Sequence, residues 1–375
     1  MKNLFLLISL ISAIQLTSCL NQKLETDREV VRLSPVDSLE IQIDPTTPTF
    51  PRYIDFNTDS NLLLVGNEFN SSIQFYDIQK KQLVKVIEFD EEGPNGIGNM
   101  GAITYINNDS ILIFDRPAYI KISDNSGKVI FSGLPETNYN LLSSSATRSY
   151  IHYGNVFSYN RGAFALNYNN FKGVPTNSIA VSFNLLDSTT NDWLTYPKSI
   201  INDQWDSQQF WYYSTQNNQD QLLTYACAGC DSINTFYDEN LSYNTISFGS
   251  NLLPKPAPYK YGRPSQLSSV EAAEMKSWFL TKGSAYGPIH YDKFRKQYYR
   301  FLYLPNPNAT SILEKPVALL TANESFTEIR EFTFDEKYNQ ILHPGPVIVS
   351  EEGLYIYLND EIENTWKWYL FKPWQ

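Results

Sequence analysis

From residue 36 onward the chain is a succession of short apolar runs broken by Asn, Asp, Gly and Pro, and the runs come in groups. Leu62–Val65 is followed by Ser72–Asp77 and then by Leu83–Phe89. Ile111–Phe114 is followed by Tyr119–Asp124 and, after Asn125-Ser126-Gly127, by Lys128–Phe131. The second run of each group alternates apolar and polar residues and ends in Asp, as a half-buried strand entering a turn does. The rhythm returns in Ala163–Leu166 with Ile179–Phe183 and in Leu222–Tyr225 with Ile233–Tyr237. It returns again in Tyr299–Leu302 with Val317–Leu320 and in Leu354–Tyr357 with Trp366–Phe371.

Taking Leu62, Ile111, Ala163, Leu222, Tyr299 and Leu354 as equivalent positions gives intervals of 49, 52, 59, 77 and 55 residues. Repeats of this size, each built of several short strands, predict an all-β fold of propeller blades. A four-stranded sheet cannot bury both faces alone, and stacking sheets around an axis does so while leaving only short edges. Six blades are expected, or seven if the long interval around residues 250–290 hides another; a pair of β-sandwiches is the competing architecture. The last group has three strands, Val347–Ser350, Leu354–Leu358 and Trp366–Phe371, while Ser38–Ile43 is a spare alternating strand. Pairing of these N- and C-terminal strands would close the ring. The long interval also holds a helix near 268–282: Ser268-Ser269-Val270-Glu271 fits a capping box, Ala272, Ala273, Met275, Trp278 and Phe279 follow at helical spacing, and Gly283 stops it. Its apolar stripe is read as covering the host domain rather than binding a partner.

The first residues carry an address. Met1-Lys2-Asn3 precedes an apolar run from Leu4 to Leu16, interrupted only by Ser9, Ser12 and Gln15. The run is shorter than the roughly 20 residues that span a bilayer and fits the apolar region of a secretory signal. Leu16-Thr17-Ser18-Cys19 resembles the bacterial lipobox. That resemblance implies a signal peptide over residues 1–18 and lipidation of Cys19; the stretch to residue 35, charged and without a clear apolar period, is read as a flexible tether over residues 19–35, and the strand groups put the propeller over residues 36–375. Acyl chains (palmitate among them) would anchor the protein in the bacterial cell envelope, in the outer membrane rather than the inner.

Composition removes several functions. With 40 acidic residues against 29 basic and a net charge of −11, a general nucleic-acid binder is excluded, since phosphate contacts need clustered Lys and Arg. With 42% apolar and 18% charged residues the chain has ample material for a core.

The motifs that could carry chemistry are weak. Gly96-Ile97-Gly98-Asn99-Met100-Gly101 spells a dinucleotide fingerprint, but a strand-like Ala102–Ile106 follows where a helix is required, so it is read as a loop between blades. Cys227-Ala228-Gly229-Cys230 lacks further metal ligands and a helix N-terminus, and a disulfide stapling a hairpin is the expected state. The three histidines, His152, His290 and His343, lack metalloprotease spacing. His290 stands in a cluster with Tyr286, Tyr291, Asp292, Arg295 and Arg300, from which an acid or base with an anion clamp could be assembled. The alternative, and the favoured one, makes Lys293–Lys296 a solvated turn and His290 a packed strand residue. Asp55, Glu68 and Asn107 are the kind of oxygen ligand that a calcium-dependent lactonase or phosphoester hydrolase would need, though no carboxylate repeats at one strand position. Ser123–Gly127 has the wrong Asp spacing for a sialidase turn. Asp109-Ser110-Ile111 and Asp231-Ser232-Ile233 resemble O-glycosylation acceptors too short to carry weight.

Glu92-Gly93-Pro94-Asn95-Gly96-Ile97-Gly98 and Tyr286-Gly287-Pro288-Ile289-His290-Tyr291-Asp292, followed by Arg295 and Tyr298-Tyr299-Arg300-Phe301, resemble a family of Bacteroidetes lipoproteins. Its members share a domain of unknown function and are related to six-bladed propeller-like proteins. The likeness runs over most of residues 36–375. It implies an envelope location and a propeller, and it transfers no activity and no catalytic residue.

In a propeller the loops between blades share one face with those joining second and third strands. The long loops at 90–101, 133–154, 197–209, 249–285, 305–316 and 359–365 therefore predict a recognition face, because binding residues concentrate on loops held by a rigid scaffold. Arg116, Tyr261, Arg263, His290, Tyr291 and Arg300 are the candidate binding residues, with Trp205 and Tyr259 among the aromatic groups nearby. The expected function is a non-enzymatic, lipid-anchored binding or scaffolding protein with a protein or glycan partner and no cofactor. The alternative is the calcium-dependent hydrolase with its site in the channel.

Overall fold

Alternating side chains on single strands serve two different cores, and this dictates the architecture. The computed structural model describes residues 28–375 apart from 99, 108, 116–118, 134–148, 153–154, 160–177, 196–202, 204, 206–211, 218–221, 237–242, 254, 261–267, 340–341 and 359–363. From the amino end, β1 (Val30–Leu33) and β2 (Asp37–Gln42) precede a first sheet of β3 (Tyr53–Asn57), β4 (Leu62–Asn67), β5 (Ser72–Asp77) and β6 (Gln82–Glu88). The second sheet is β7 (Met100–Asn107), β8 (Ser110–Asp115), β9 (Tyr119–Asp124) and β10 (Val129–Gly133). The third is β11 (Ser149–His152), β12 (Asn155–Tyr159), β13 (Ser178–Asn184) and β14 (Thr190–Thr195). The fourth is β15 (Tyr212–Asn217), β16 (Leu222–Cys227), β17 (Ser232–Phe236) and β18 (Tyr243–Ser247). After α1 (Ser269–Thr281) comes a fifth, β19 (Ala285–Asp292), β20 (Gln297–Tyr303), β21 (Val317–Asn323) and β22 (Ile329–Phe334). A short α2 (Glu336–Asn339) leads to the last three strands, β23 (Leu342–Val349), β24 (Leu354–Leu358) and β25 (Thr365–Phe371).

On β4, Leu63 and Val65 pack with Ile41, Trp366 and Trp368, whereas Leu64 packs with Ile103 and Ile113 of the next sheet. On β8, Ile111 and Ile113 face the first sheet, while Leu112 and Phe114 meet Phe183 of the third. A run such as Ile111–Phe114 is apolar at every position because both of its faces are covered. The first strands touch in ring order, β7 against β3 and β11, β19 against β15 and β23, and β23 against β3. The fold is an all-β propeller.

The ring closes through the predicted pair. β2 runs antiparallel to β25, with Ser38 opposite Tyr369 and Ile41 opposite Trp366, and completes a four-stranded sheet with β24 and β23. Second strands lie at Leu62, Leu222, Tyr299 and Leu354 as the spacing predicts, and Ile111 falls within β8. The third sheet corrects the reading: its second strand is Asn155–Tyr159, and Ala163–Leu166 lies outside the described residues. Within the span read as a tether, Val30–Leu33 instead adds a fifth strand in parallel to β22, with Val30 opposite Glu331. Arg28 secures it, donating from Nη1 to Gly249 O at 2.7 Å and to Glu331 Oε1 at 3.0 Å.

One turn recurs between strands. Asn57, Asn67, Asp77, Asn184 and Asp292 each accept, on the side-chain oxygen, the amide two residues on. Four residues after each, Asn61, Ser71, Lys81, Ser188 and Lys296 take φ between 50° and 60°. The Asx side chain closes the turn and the left-handed residue returns the chain into the next strand.

Helix α1 starts with the predicted capping box between Ser268 and Glu271 and buries Met275, Phe279 and Leu280. Its carboxyl end is held by Lys315, fully buried, whose Nζ donates to the carbonyls of Phe279, Leu280 and Gly283 at 3.0, 3.0 and 2.8 Å. A cation on orphan helix carbonyls is favourable by charge and by hydrogen bonding. Among the described residues no helix is long and apolar enough to cross a membrane.

Candidate functional site

Every described first strand lies along the axis, so its carboxyl end and the turn that follows it point towards one mouth of the ring. There β3, β7, β15, β19 and β23 enclose a pocket of about 560 Å³, lined by Asp55, Asn57, Asp59, Tyr105, Asn107, Thr215, Gln216, His290, Tyr291, Lys293 and Phe294 among others. A volume of this size is within the range of about 300–1,000 Å³ usual for small-molecule sites.

The inner strands are sheet edges, and their amides are covered by neighbours. Tyr105 N donates to Asp55 Oδ2 at 2.8 Å, from the second sheet to the first, and Tyr291 N donates to Thr215 Oγ1 at 2.9 Å, from the fifth to the fourth. At the mouth Lys293 Nζ meets Asp59 Oδ1 at 2.5 Å, bridging the fifth sheet and the first. The Lys293 ammonium, donating to the Asp59 carboxylate, holds it below its ordinary pKa. Burial raises the Tyr105 phenol above its ordinary value. Tyr291 Oη donates to Glu324 Oε1 at 2.5 Å, which fixes its ring at the wall. His290 is buried, its ring 5.9 Å from that of Phe301 in an edge-on arrangement, so it is at once a packed strand residue and part of the pocket wall.

Of the residues singled out in the sequence, His290 and Tyr291 line this pocket, as do Asp55 and Asn107. Glu68 lies elsewhere, 3.6 Å from Arg52 in an ion pair. Arg116, Tyr261 and Arg263 lie outside the described residues, as do Cys19 and His343's side chain. Arg300 does not reach the pocket. It is fully buried and donates to the carbonyls of Phe248, Cys227 and Cys230 at 2.8, 2.9 and 2.7 Å, with its guanidinium 3.8 Å from the Tyr286 ring centre. Burial lowers its pKa. It fastens the fourth sheet's turn to the fifth sheet.

That turn holds the two cysteines read from the sequence as a disulfide. Cys227 and Cys230 are unbonded in this structure, with the Cys230 amide 3.2 Å from the Cys227 carbonyl. The hydrogen bond with Cys227, then burial, raise the Cys230 thiol pKa. Arg300 on both carbonyls makes a covalent staple unnecessary to hold the loop. The glycine-rich stretch begins as a loop, as expected, and ends inside β7: Ile97 N bonds Asp90 O, a Cβ at Gly96 would lie 2.5 Å from Glu92 backbone, and Met100 and Gly101 open the strand.

The pocket face also differs from the expected one. Its residues sit towards the carboxyl ends of the first strands and on the turns that follow them, opposite the loops that join one sheet to the next. Asn57 and Gln216 were invisible as site residues because each reads as an ordinary strand end or turn opener; only the ring brings them together with Asn107. Among the described residues no group of three or more His, Cys, Asp and Glu side chains could hold a metal ion.

The sequence profile of a domain of unknown function, DUF4221, matches residues 31–333. The chain belongs to the DUF4221 family. A DUF4221 member from Bacteroides vulgatus, known from its crystal structure, is 20% identical with a TM-score of 0.72, covering 92% of this chain and 99% of that one. A candidate exported protein from Bacteroides fragilis is 12% identical with a TM-score of 0.56, covering 92% and 98%. At these identities the likeness shows a shared fold alone. No curated protein matches the sequence.

Proposed function

We propose that this DUF4221 protein is a lipid-anchored binding protein of the bacterial cell envelope, in which each of the six sheets is one blade and the axial pocket holds a small polar ligand. The convergence of side chains from five inner strands on one 560 Å³ cavity carries this reading. The pocket combines amides, hydroxyls and aromatic rings on strands rather than on long loops, a rigid frame suited to recognition. Its role is binding rather than catalysis: the Asp59 carboxylate is engaged by Lys293 and the Asp55 carboxylate by a backbone amide. The lipobox-like Leu16–Cys19 supports acylation of Cys19, with the outer membrane favoured over the inner and no role for nucleic acid. An envelope protein or glycan seen at the inter-sheet loops, through Arg116, Tyr261 and Arg263, is the second contact this reading allows.

Two measurements test it. Cys19→Ser should release the protein from the membrane fraction and abolish incorporation of labelled palmitate; retention of both would remove the anchor. A thermal-shift screen of small polar metabolites should show stabilisation of the wild-type chain and none of Gln216→Trp, which fills the cavity. Equal shifts in both proteins would place any ligand outside the pocket.

A further inference from the structure

We infer that the ligand of the axial pocket is a neutral saccharide, a step that rests on the pocket being a binding site. Three features of the wall select it. The first is that the edges of the inner strands are already occupied. Tyr105 N is capped by Asp55 and Tyr291 N by Thr215, so an extended peptide seeking to add a strand along the channel meets engaged donors at both places. The second is charge. The charge of Lys293 is already offset by Asp59 at 2.5 Å, and an anion would also approach the carboxylates of Asp55 and Asp59. The site therefore presents no unopposed positive charge to a phosphate or carboxylate.

The third feature is the character of the remaining surface. Gln216 and Thr58 carry groups that both donate and accept, or pair a donor with an acceptor, matching vicinal hydroxyls that do the same, while Asn57 and Asn107 add polar wall whose side-chain oxygens already close the turns that carry them. Phe294, 38% exposed on the turn after β19, offers an aromatic face at the mouth, and Phe56 lies half-buried in the wall. Aromatic faces beside amides and hydroxyls bind the C–H face of a sugar ring while its hydroxyls are hydrogen-bonded. Each element is modest; their coincidence in one cavity favours a neutral polyhydroxylated ligand over an anion or an extended peptide.

The test is calorimetric titration of the full chain in detergent with neutral probes (maltose, cellobiose, lactose, mannobiose and chitobiose) and with glucuronate and sialic acid as anionic counterparts. At least one neutral disaccharide should bind, and Phe294→Ala and Gln216→Ala should each weaken it about tenfold, equivalent to about 1.4 kcal/mol. Arg52→Met, outside the pocket, should leave that affinity within a factor of about two. Binding of the acids alone, abolished by Lys293→Met, would overturn the neutral saccharide while leaving the pocket as a binding site. Binding of a sugar that neither Phe294→Ala nor Gln216→Ala alters would overturn both. Failure of every probe would overturn the saccharide assignment, and the metabolite screen would then decide the pocket separately.

Discussion

Ile41 and Trp366 stand opposite each other in the antiparallel register that joins the two ends of the fold, and both are fully buried. Around them Tyr76 approaches the Trp366 ring at 5.2 Å, and Trp366 Nε1 donates to Pro48 O at 3.0 Å. The closing strand is therefore part of the core between the last sheet and the first, not a loose strap.

Ile41→Ala removes buried side-chain volume at this seam. Large-to-small changes in cores cost about 2–5 kcal/mol, and the unfolding midpoint in urea should fall accordingly. A change below about 0.5 kcal/mol, the scale of a surface substitution, would show that the seam contributes nothing to holding the ring.

How much of this was legible in the sequence depended on whether the signal was local. Ser38–Ile43 alternates clearly and announces a strand, and the partner it needs follows from a final group one strand short. Val30–Leu33 gives no such signal: it is four residues among charges, and its partner β22 lies some three hundred positions on, in parallel. The apolar quartet Ala163–Leu166 attracted the second strand of the third sheet away from Asn155–Tyr159, whose Asn and Ser dilute its apolar character. Lys315 is invisible for a different reason, since nothing in a pattern of apolar positions marks a buried cation that serves a helix end. The pocket shares this property: Asn57 and Asn107 each announce a turn, and only ring closure turns their neighbours into a wall.

The pair at the pocket mouth predicts a pH effect. Asp59 is held below its ordinary value by Lys293, so its folded pKa is lower than its unfolded one. Its contribution to stability is then present above the unfolded value of about 3.9 and is lost as pH falls through the folded value. A carboxylate titration by NMR should find Asp59 below the ordinary range, and Lys293→Ala should return it there. An unshifted Asp59 in the wild-type chain would mean that the bridge between the fifth and first sheets does not persist in solution.

The thiols at the Cys227–Cys230 turn predict slow chemistry. The hydrogen bond between them and burial raise the Cys230 pKa, leaving little thiolate at neutral pH, and the thiolate is the reactive form. In a Cys19→Ser background, iodoacetamide at pH 8 should alkylate the native chain far more slowly than glutathione. Both cysteines should then react once the chain is denatured without reductant. Denatured chain that stays unreactive until reductant is added would reveal a disulfide instead.

Glu331 predicts the largest effect of a single polar substitution. It is fully buried on β22 and accepts from Ser250 Oγ at 2.8 Å, from the amides of Asn251 and Leu252 at 2.8 and 3.0 Å, and from Arg28 at 3.0 Å. One carboxylate thus ties together the added strand β1, the loop leaving the fourth sheet and the fifth sheet itself. Glu331→Ala takes the acceptor from one hydroxyl and two amides and the partner from the Arg28 cation, and removing one member of a buried pair costs about 3–5 kcal/mol. Arg28→Ala leaves the carboxylate its three other donors, and Arg28 is itself 27% exposed, so its cost should be smaller, about 1–2 kcal/mol. Urea denaturation of the two variants measures the difference, and hydrogen exchange should show β1 amides opening in both. Equal costs would mean that the ion pair, rather than the carboxylate's amide contacts, holds this corner of the fold.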